Sequence, residues 1–445
     1  MAGRTQFTGK LGFVMAAAGS AVGLGNIWRF PYLAAQNGGG LFVLVYVLLL
    51  FTFGFTLLTA EVALGRRTKL SPIEAYKSLD SRFGFIGLIA ASVSLFILPY
   101  YSLIGGWIIK YFVAFAAGNH AETAGNAYFT NFISSNYEPI IYQSLFVLAT
   151  AAIILRGVKD GIEKACIVLM PALIVLIVVV SIYSLSLPGA WGGVYYYLVP
   201  DFSKFSINTV LAAMGQMFYS LSLAGGVMIT YGSYLKKESD IVSSVIQIGG
   251  FDSTIAVLAG FMIVPAVYAF SAGDPNALNA GPSLIFVTLP KIFDAMGMTM
   301  AIGSIFFLLV FFAAITSSIS LMEAVVATVV DKFNIGKKLA TIIITAITIV
   351  VGMPISLGYG VLDFIKVANM NLLDMFDFAT NSVLMPVSAL LSTIFIAYKV
   401  GVNVLIDEVR LSSPFRAAGF FAFIFKYFVP IFIVIILVSS IIAAF

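Results

Sequence analysis

Charge is what this sequence has least of. Asp, Glu, Lys and Arg make up 10% of its 445 residues, whereas soluble domains carry about a quarter. Hydrophobic residues account for 61%, and the mean hydropathy is +1.05. A soluble globular chain is excluded. Cysteine occurs once, as Cys166 in an apolar run, so no disulfide framework or cysteine metal site can be built, and the thiol reads as core filler. Histidine also occurs once. His120 stands beside Gly118, Asn119 and Glu122, reads as a solvated loop residue, and makes a His-based metal site or proton relay improbable. With so little nucleophile, base or metal-ligand chemistry the chain is not expected to be an enzyme. A net charge of +4 is too small and too dispersed for nucleic-acid binding. The opening MAGRTQFTGKLGF leads into glycines and Asn26-Ile27-Trp28-Arg29 instead of a cleavage site, so the first apolar run is expected to stay in the mature protein.

What the chain has instead is a series of apolar runs long enough to cross a bilayer. They lie near 11–36, 40–64, 85–116, 138–156, 163–186, 207–235, 241–270, 297–330, 338–357, 370–399 and 417–443. The expected fold is an all-α polytopic membrane protein of about 11 helices, one transmembrane domain over residues 1–445. Every second loop is basic: Arg66, Arg67, Lys69, Lys77 and Arg82 follow the second run, and RGVKDGIEK separates the fourth from the fifth. Lys236-Lys237, the DKFNIGKK segment at 331–338, and Lys399, Arg410 and Arg416 continue the pattern. By contrast 117–137 has no Lys or Arg, and 187–206 and 271–296 have one lysine each, Lys204 and Lys291. The excess of Lys and Arg places the basic loops and the N-terminus in the cytoplasm and Phe445 outside.

Two runs, the first and the sixth, are poor continuous helices. The first contains Gly19-Ser20-Ala21-Val22-Gly23-Leu24-Gly25-Asn26, and the sixth Ser220-Leu221-Ser222-Leu223-Ala224-Gly225-Gly226. Interior glycines cost roughly 1 kcal/mol each relative to alanine and favour unwinding there. Unwound backbone inside a membrane is tolerated where it binds something or lines a cavity. Half-helix ends offer amides to an anion and carbonyls to a cation, so a carboxylate together with sodium would suit them. Close helix packing is the plainer reading of such glycines. Two matched interruptions five spans apart favour a binding site between inverted repeats, at about 11–186 and 207–399, with an extra helix at about 417–443.

The string AAAGSAVGLGNIWRFPYLAAQNGGG at 16–40 resembles the first-span signature of the neurotransmitter:sodium symporter family, especially its bacterial eleven-span amino-acid members. Glu61 in AEVALGR, GQMFYSLSL at 215–223, Thr316-Ser317-Ser318 and DMFDF at 374–378 extend the resemblance along the chain. It implies one sodium site built from Ala21, Asn26, Ser220 and Asp252, completed by the substrate's carboxylate, so that sodium and substrate bind cooperatively. It implies a second at Gly19, Val22, Ala313, Thr316 and Ser317. Ala21, Gly23, Gly25, Ile97, Tyr101, Tyr219, Ser220, Ser222, Gly225, Ser317 and Leu321 map to the substrate pocket. Arg29 and Asp377 map to an outer gate, and Arg4, Ser233, Tyr234 and Asp331 to an inner one.

Animal members resemble this pattern with asparagine at the position of Asp252 and a serine four residues on, where Ala256 stands here. A fixed intramembrane carboxylate could replace the bound anion, which implies sodium dependence without a chloride requirement. Gly23 stands where monoamine carriers hold an aspartate, and so leaves room for the carboxylate of an amino acid. Gly225 enlarges the pocket toward a bulky neutral substrate, aliphatic or aromatic, and no cationic or acidic partner for its side chain is visible. The resemblance thus implies a sodium-coupled amino-acid symporter in the plasma membrane, working by alternating access. The competing readings are a non-transporting amino-acid sensor on the same fold and a proton-coupled carrier in which Glu61 or Asp252 titrates.

Overall fold

Apolar runs of this length fold as helices because the bilayer core holds no water to satisfy an open backbone. The computed structural model describes residues 6–125, 127–271, 282–295 and 298–444, with side chains to residue 442 in the last segment. Arg4 and Phe445 therefore lie outside the described residues. Within them the chain is helix and turn, with two isolated bridges, Gly39 to Pro200 and Val367 to Met370.

Among the described residues nine helices are long and apolar enough to cross a membrane: Gly40–Thr68, Ser81–Ala116, Glu138–Leu155, Val158–Leu185, Ile241–Phe270, Thr299–Phe333, Lys337–Leu357, Leu372–Gly401 and Ala418–Ile442. The pair Lys10–Ala21 and Gly25–Gln36, bent by 55°, makes a tenth. Ile207–Ser220 and Val227–Ser233, parted by an irregular turn, fill the sixth place in the order. Numbered along the chain these are spans 1 to 11, with spans 1 and 6 broken. Side-chain caps start several of them: Ser206 accepts from Thr209 N at 3.1 Å, Asp240 from Ser243 N at 3.0 Å and Asn371 from Asp374 N at 2.9 Å. Each satisfies an amide with no intrahelical partner.

The spans begin and end within a few residues of expectation. Span 2 runs on to Thr68, and span 5 begins earlier, with a π-helical turn at Val158–Glu163 that follows a turn at Gly157 with φ +88°. Stretches read as loops contain short helices, among them Pro72–Leu79, Ala190–Leu198 and Asn403–Arg410. They are too short for a bilayer-length window, and Pro72–Leu79 and Asn403–Arg410 also carry charged residues. His120, read as a solvated loop residue, stays partly exposed and meets Asp294 at 3.1 Å.

Span 3 packs along spans 4 and 8, and span 9 along span 4, forming one layer. Spans 1, 2, 6 and 7 pack on one another against it. The basic loops meet at one end, where Arg66, wholly buried, pairs with Glu408 at 2.8 Å and donates to the Ser239 carbonyl at 2.6 Å. Lys237 reaches the other oxygen of Glu408 at 3.2 Å. This cluster joins span 2 to the loops after spans 6 and 10, the clustering that alternating basic loops require.

Candidate functional site

The first break is short. Lys10–Ala21 stops at Val22, whose ψ of 100° is extended, and helix resumes as a π turn at Gly25–Arg29. Asn26 spans the gap: its Oδ1 accepts from Gly23 N at 3.1 Å, and its Nδ2 donates to Asp252 Oδ1 at 2.8 Å. Ser220, the last helical residue before the second break, donates to the same Oδ1 at 2.6 Å, and Tyr46 donates to Asp252 Oδ2 at 2.6 Å. Asp252, Asn26 and Tyr46 are fully buried and Ser220 nearly so. One carboxylate of span 7 thereby ties both broken spans together. The Ser220 hydroxyl, having donated its proton, keeps lone pairs for a cation.

The second break is longer, and it carries left-handed backbone at Ser222 (φ +51°), Ala224 (φ +61°) and Gly226 (φ +76°). For a residue with a Cβ that conformation costs about 1–2 kcal/mol. Side chains from three other spans hold it. Glu61 of span 2 accepts from Ala224 N at 2.6 Å, Ser388 of span 10 donates to Ala224 O at 2.9 Å, and Ser94 of span 3 donates to Gly225 O at 2.6 Å. Ser222 reaches back to Ser20 O at 2.8 Å. The helices unwind at the glycine-rich strings as expected, and among Gly19, Gly23, Gly25, Gly225 and Gly226 the left-handed one is Gly226. Gly23 and Gly25 matter for space: a Cβ on Gly23 would stand 2.7 Å from Ser317 Oγ, and one on Gly25 2.7 Å from Tyr219 Cε1.

Span 8 closes on the first break. Ser317 Oγ lies 3.3 Å from Gly19 O, 3.2 Å from Ser20 O and 3.3 Å from Val22 O. Thr316 Oγ1 shares its proton between Phe312 O at 3.0 Å and Ala313 O at 3.1 Å, within its own helix, so its oxygen can still accept. The residues expected at the second sodium site are therefore neighbours, supplying carbonyls and hydroxyls of the kind a hard cation prefers. Among the described residues no group of three His, Cys, Asp or Glu could hold a metal.

A cavity lies between the breaks. Ala21, Gly23, Gly25, Ile97, Tyr101, Tyr219, Ser220, Ser222, Gly225, Ser317 and Leu321 all line it, together with Ser20, Leu24, Asn26, Val93, Leu223, Val227 and Met385. One end is polar, where the buried Tyr101 hydroxyl lies beside Ser317 and the Leu24 backbone without a well-formed hydrogen bond to either. The other is apolar, with Val93, Ile97, Leu321 and Met385. A Cβ on Gly225 would meet Ser94 Oγ at 3.3 Å and Val93 Cγ1 at 3.6 Å, so the bare glycine widens this end.

Tyr219 lines both this cavity and a wider vestibule that also holds Trp28, Arg29, Tyr100, Asp377 and Asn381. The Arg29 guanidinium sits 5.0 Å from the centre of the Tyr219 ring. Arg29 and Asp377 share the vestibule without an ion pair within 4.0 Å, because Arg29 lies over the ring while Asp377 accepts from Asn381 Nδ2 at 2.7 Å.

At the basic end Phe7 is buried, its ring edge-to-face with Phe13, Tyr231 and Tyr234 at 5.8, 5.7 and 6.1 Å. Its amide donates to Tyr234 O at 3.2 Å. Tyr234 OH donates to Glu323 at 2.7 Å, Lys337 pairs with Glu323 at 2.7 Å, and Asp331 accepts from Ser71 N at 2.8 Å. The Ser233 hydroxyl turns back to Thr230 O at 2.5 Å and so contributes no cross-span bond of its own. Sequence reading missed Tyr46, Ser94, Glu323 and Ser388. A hydroxyl or carboxylate inside an apolar run marks each, but the run does not say which partner it meets.

The sequence profile of the sodium:neurotransmitter symporter family matches residues 4–136 and 139–444. The sodium-dependent transporter YhdH of Bacillus subtilis is 37% identical over 447 aligned positions, covering 98% of this chain and 97% of its own length. A sodium-dependent transporter of Haemophilus influenzae is 33% identical, covering 98% of each, and MJ1319 of Methanocaldococcus jannaschii is 33% identical, covering 93% and 85%. The crystal structure of MhsT in complex with L-phenylalanine superposes with a TM-score of 0.88 at 36% identity, covering 98% of this chain and 100% of that one.

Proposed function

This chain belongs to the sodium:neurotransmitter symporter family, a family of sodium-dependent membrane transporters, and from that premise we propose that it carries neutral amino acids with bulky aliphatic or aromatic side chains. One observation carries the reading: Asp252 joins Asn26 of the first break to Ser220 of the second, beside a cavity with one polar and one apolar end. A zwitterion fits this arrangement. Its carboxylate takes the space left by the missing Cβ of Gly23, within reach of Tyr101 and of a sodium ion held by Ala21 O, Asn26, Ser220 and Asp252. Its side chain fills the widened end at Gly225, Val93 and Met385. L-Phenylalanine in the similar MhsT is a ligand of that kind.

A carboxylate touching the ion makes each ligand raise the other's affinity by the same factor, which is the coupling a symporter needs. The second sodium, at Gly19, Val22, Ala313, Thr316 and Ser317, braces span 1 against span 8. Asp252 supplies a fixed negative charge and removes the need for chloride. In the transport cycle sodium and substrate bind from the vestibule, Tyr219 covers the substrate, and Arg29 and Asp377 draw together above it. Loss of the second sodium then loosens span 1 toward the basic end. The spans divide into repeats at about 11–186 and 207–399, and the protein sits in the plasma membrane with the basic loops and N-terminus in the cytoplasm.

Uptake of labelled neutral amino acids into proteoliposomes tests this, with inward sodium or potassium gradients and with chloride or gluconate. Sodium-driven uptake of phenylalanine or leucine at equal rates in both anions is expected. If sodium neither drives uptake nor tightens binding of any neutral amino acid, the proposal falls.

A further inference from the structure

Glu61 has a second oxygen that the fold leaves unsatisfied. Its Oε1 accepts from Ala224 N, but Oε2 is buried and has no hydrogen-bond partner among the described residues. The side chain is 8% exposed and lines a small pocket between spans 2, 10 and 11 with Leu64, Ala389, Ser392, Thr393, Ile396 and Phe425. No charged residue other than Glu61 lines that pocket.

The charged and titratable groups on the surrounding elements are committed elsewhere. On its own span Arg66 is bound to Glu408, and Arg67 Nη1 reaches Val404 O. From the helix Pro72–Leu79, Tyr76 presents its hydroxyl to Ser392, and Lys77 pairs with Glu74. Asp252 of span 7 is held by Asn26, Ser220 and Tyr46, while Tyr231 of span 6 bonds Ser320. Lys237 is taken by Glu408, and Lys426, next to Phe425, lies over the rings of Tyr398 and Tyr427. A bare carboxylate buried among apolar side chains without a counter-charge is strongly disfavoured. Sodium would not relieve it well, since Ser392 and Thr393 are the pocket's other side-chain oxygens and a hard cation wants a larger oxygen shell. A single proton on Oε2 does.

We propose that Glu61 is a proton-binding site, occupied when this pocket is closed and emptied when the second break rearranges and water reaches the carboxyl. The proton exchanges with bulk water, and its binding is linked to the conformation of Ala224, whose amide Glu61 holds. Binding a proton favours the closed arrangement, so that arrangement is fully stabilised at acid pH and loses support as pH rises through the titration of Glu61.

Infrared difference spectroscopy of the purified protein at neutral pH, wild type minus Glu61→Gln, tests this without reference to any substrate. A carbonyl band of a protonated carboxyl is expected in the wild type and absent from the variant. Ser392→Ala leaves the carboxyl in place and should shift that band. Sodium-dependent binding of L-phenylalanine should weaken several-fold with rising pH in the wild type, whereas Glu61→Gln should hold the acid-side affinity throughout. A spectrum insensitive to both substitutions, or an unchanged pH slope in Glu61→Gln, overturns the proposal. Failure of phenylalanine to bind at all would instead overturn the substrate reading, and the infrared result would stand.

Discussion

The two breaks in the bundle are held open by opposite means. In span 1 the interruption is short and is bridged by Asn26, with Ser317 of span 8 and Asp252 of span 7 meeting it from outside. In span 6 the interruption is longer, rests on left-handed Ser222 and Ala224, and is clamped at Ala224 and Gly225 by Glu61, Ser388 and Ser94. The first break gathers oxygens and excludes side chains, as a charge-reading site requires. The second shapes volume. Glycine stands in the first break where a side chain would collide, while left-handed strain in the second is borne partly by residues that ordinarily avoid it.

That contrast fails most visibly if Gly23→Asp is tolerated. The added carboxylate would enter the space between Ser317 and Tyr101, and amino-acid uptake should be abolished; retained transport would mean the substrate's carboxylate is held elsewhere. Asn26→Ala removes a bond to Asp252 and the bridge to Gly23, a loss of about 1.5–3 kcal/mol for hydrogen bonds to a charged group. Sodium requirement and substrate affinity should worsen together, by about tenfold or more, in paired binding titrations. Weaker substrate binding with an unaltered sodium response would separate the two ligands and contradict the shared site.

The second break should respond differently. Ser388→Ala leaves a buried carbonyl without its donor, at about 1–3 kcal/mol, and should weaken substrate binding by roughly tenfold while the sodium dependence keeps its shape. Gly225→Met should narrow the apolar end, moving preference from phenylalanine toward smaller aliphatic substrates by about tenfold in competition assays. The smallest effect belongs to Ala224→Gly, which relieves left-handed strain at about 1 kcal/mol and should raise the melting temperature in detergent slightly. A drop would show that the alanine methyl does packing that outweighs its backbone strain.

The helical architecture was legible because bilayer burial imposes long apolar runs, and the alternating basic loops point to the end where Arg66, Lys237 and Glu408 meet. The residues that line the candidate site were legible to the extent that they reside in local strings: Gly23 to Arg29, Tyr219 to Gly225, and Thr316-Ser317. What sequence alone left out are contacts made across the bundle by isolated polar residues in apolar runs, such as Tyr46 on Asp252 and Ser388 on Ala224. Their periodicity equals that of their apolar neighbours, and their partners lie 206 and 164 positions away. The role of the glycines was also hidden, because sequence does not distinguish a glycine chosen for backbone freedom from one chosen for clearance.

Phe7 bears on how faithfully the carrier uses its gradient. Moving the buried ring into water forfeits about 1.5–3 kcal/mol of apolar burial, and edge-to-face contacts with Phe13, Tyr231 and Tyr234 each add about 0.5–1.5 kcal/mol. Each 1.4 kcal/mol is a factor of about ten in population. An unloaded carrier with that residue seated would open its basic end about once in a hundred conformers or fewer. Sodium leakage without cargo would be limited accordingly. In the proposed cycle the aromatic seal would then set thermodynamic efficiency, separately from any residue that recognises the cargo.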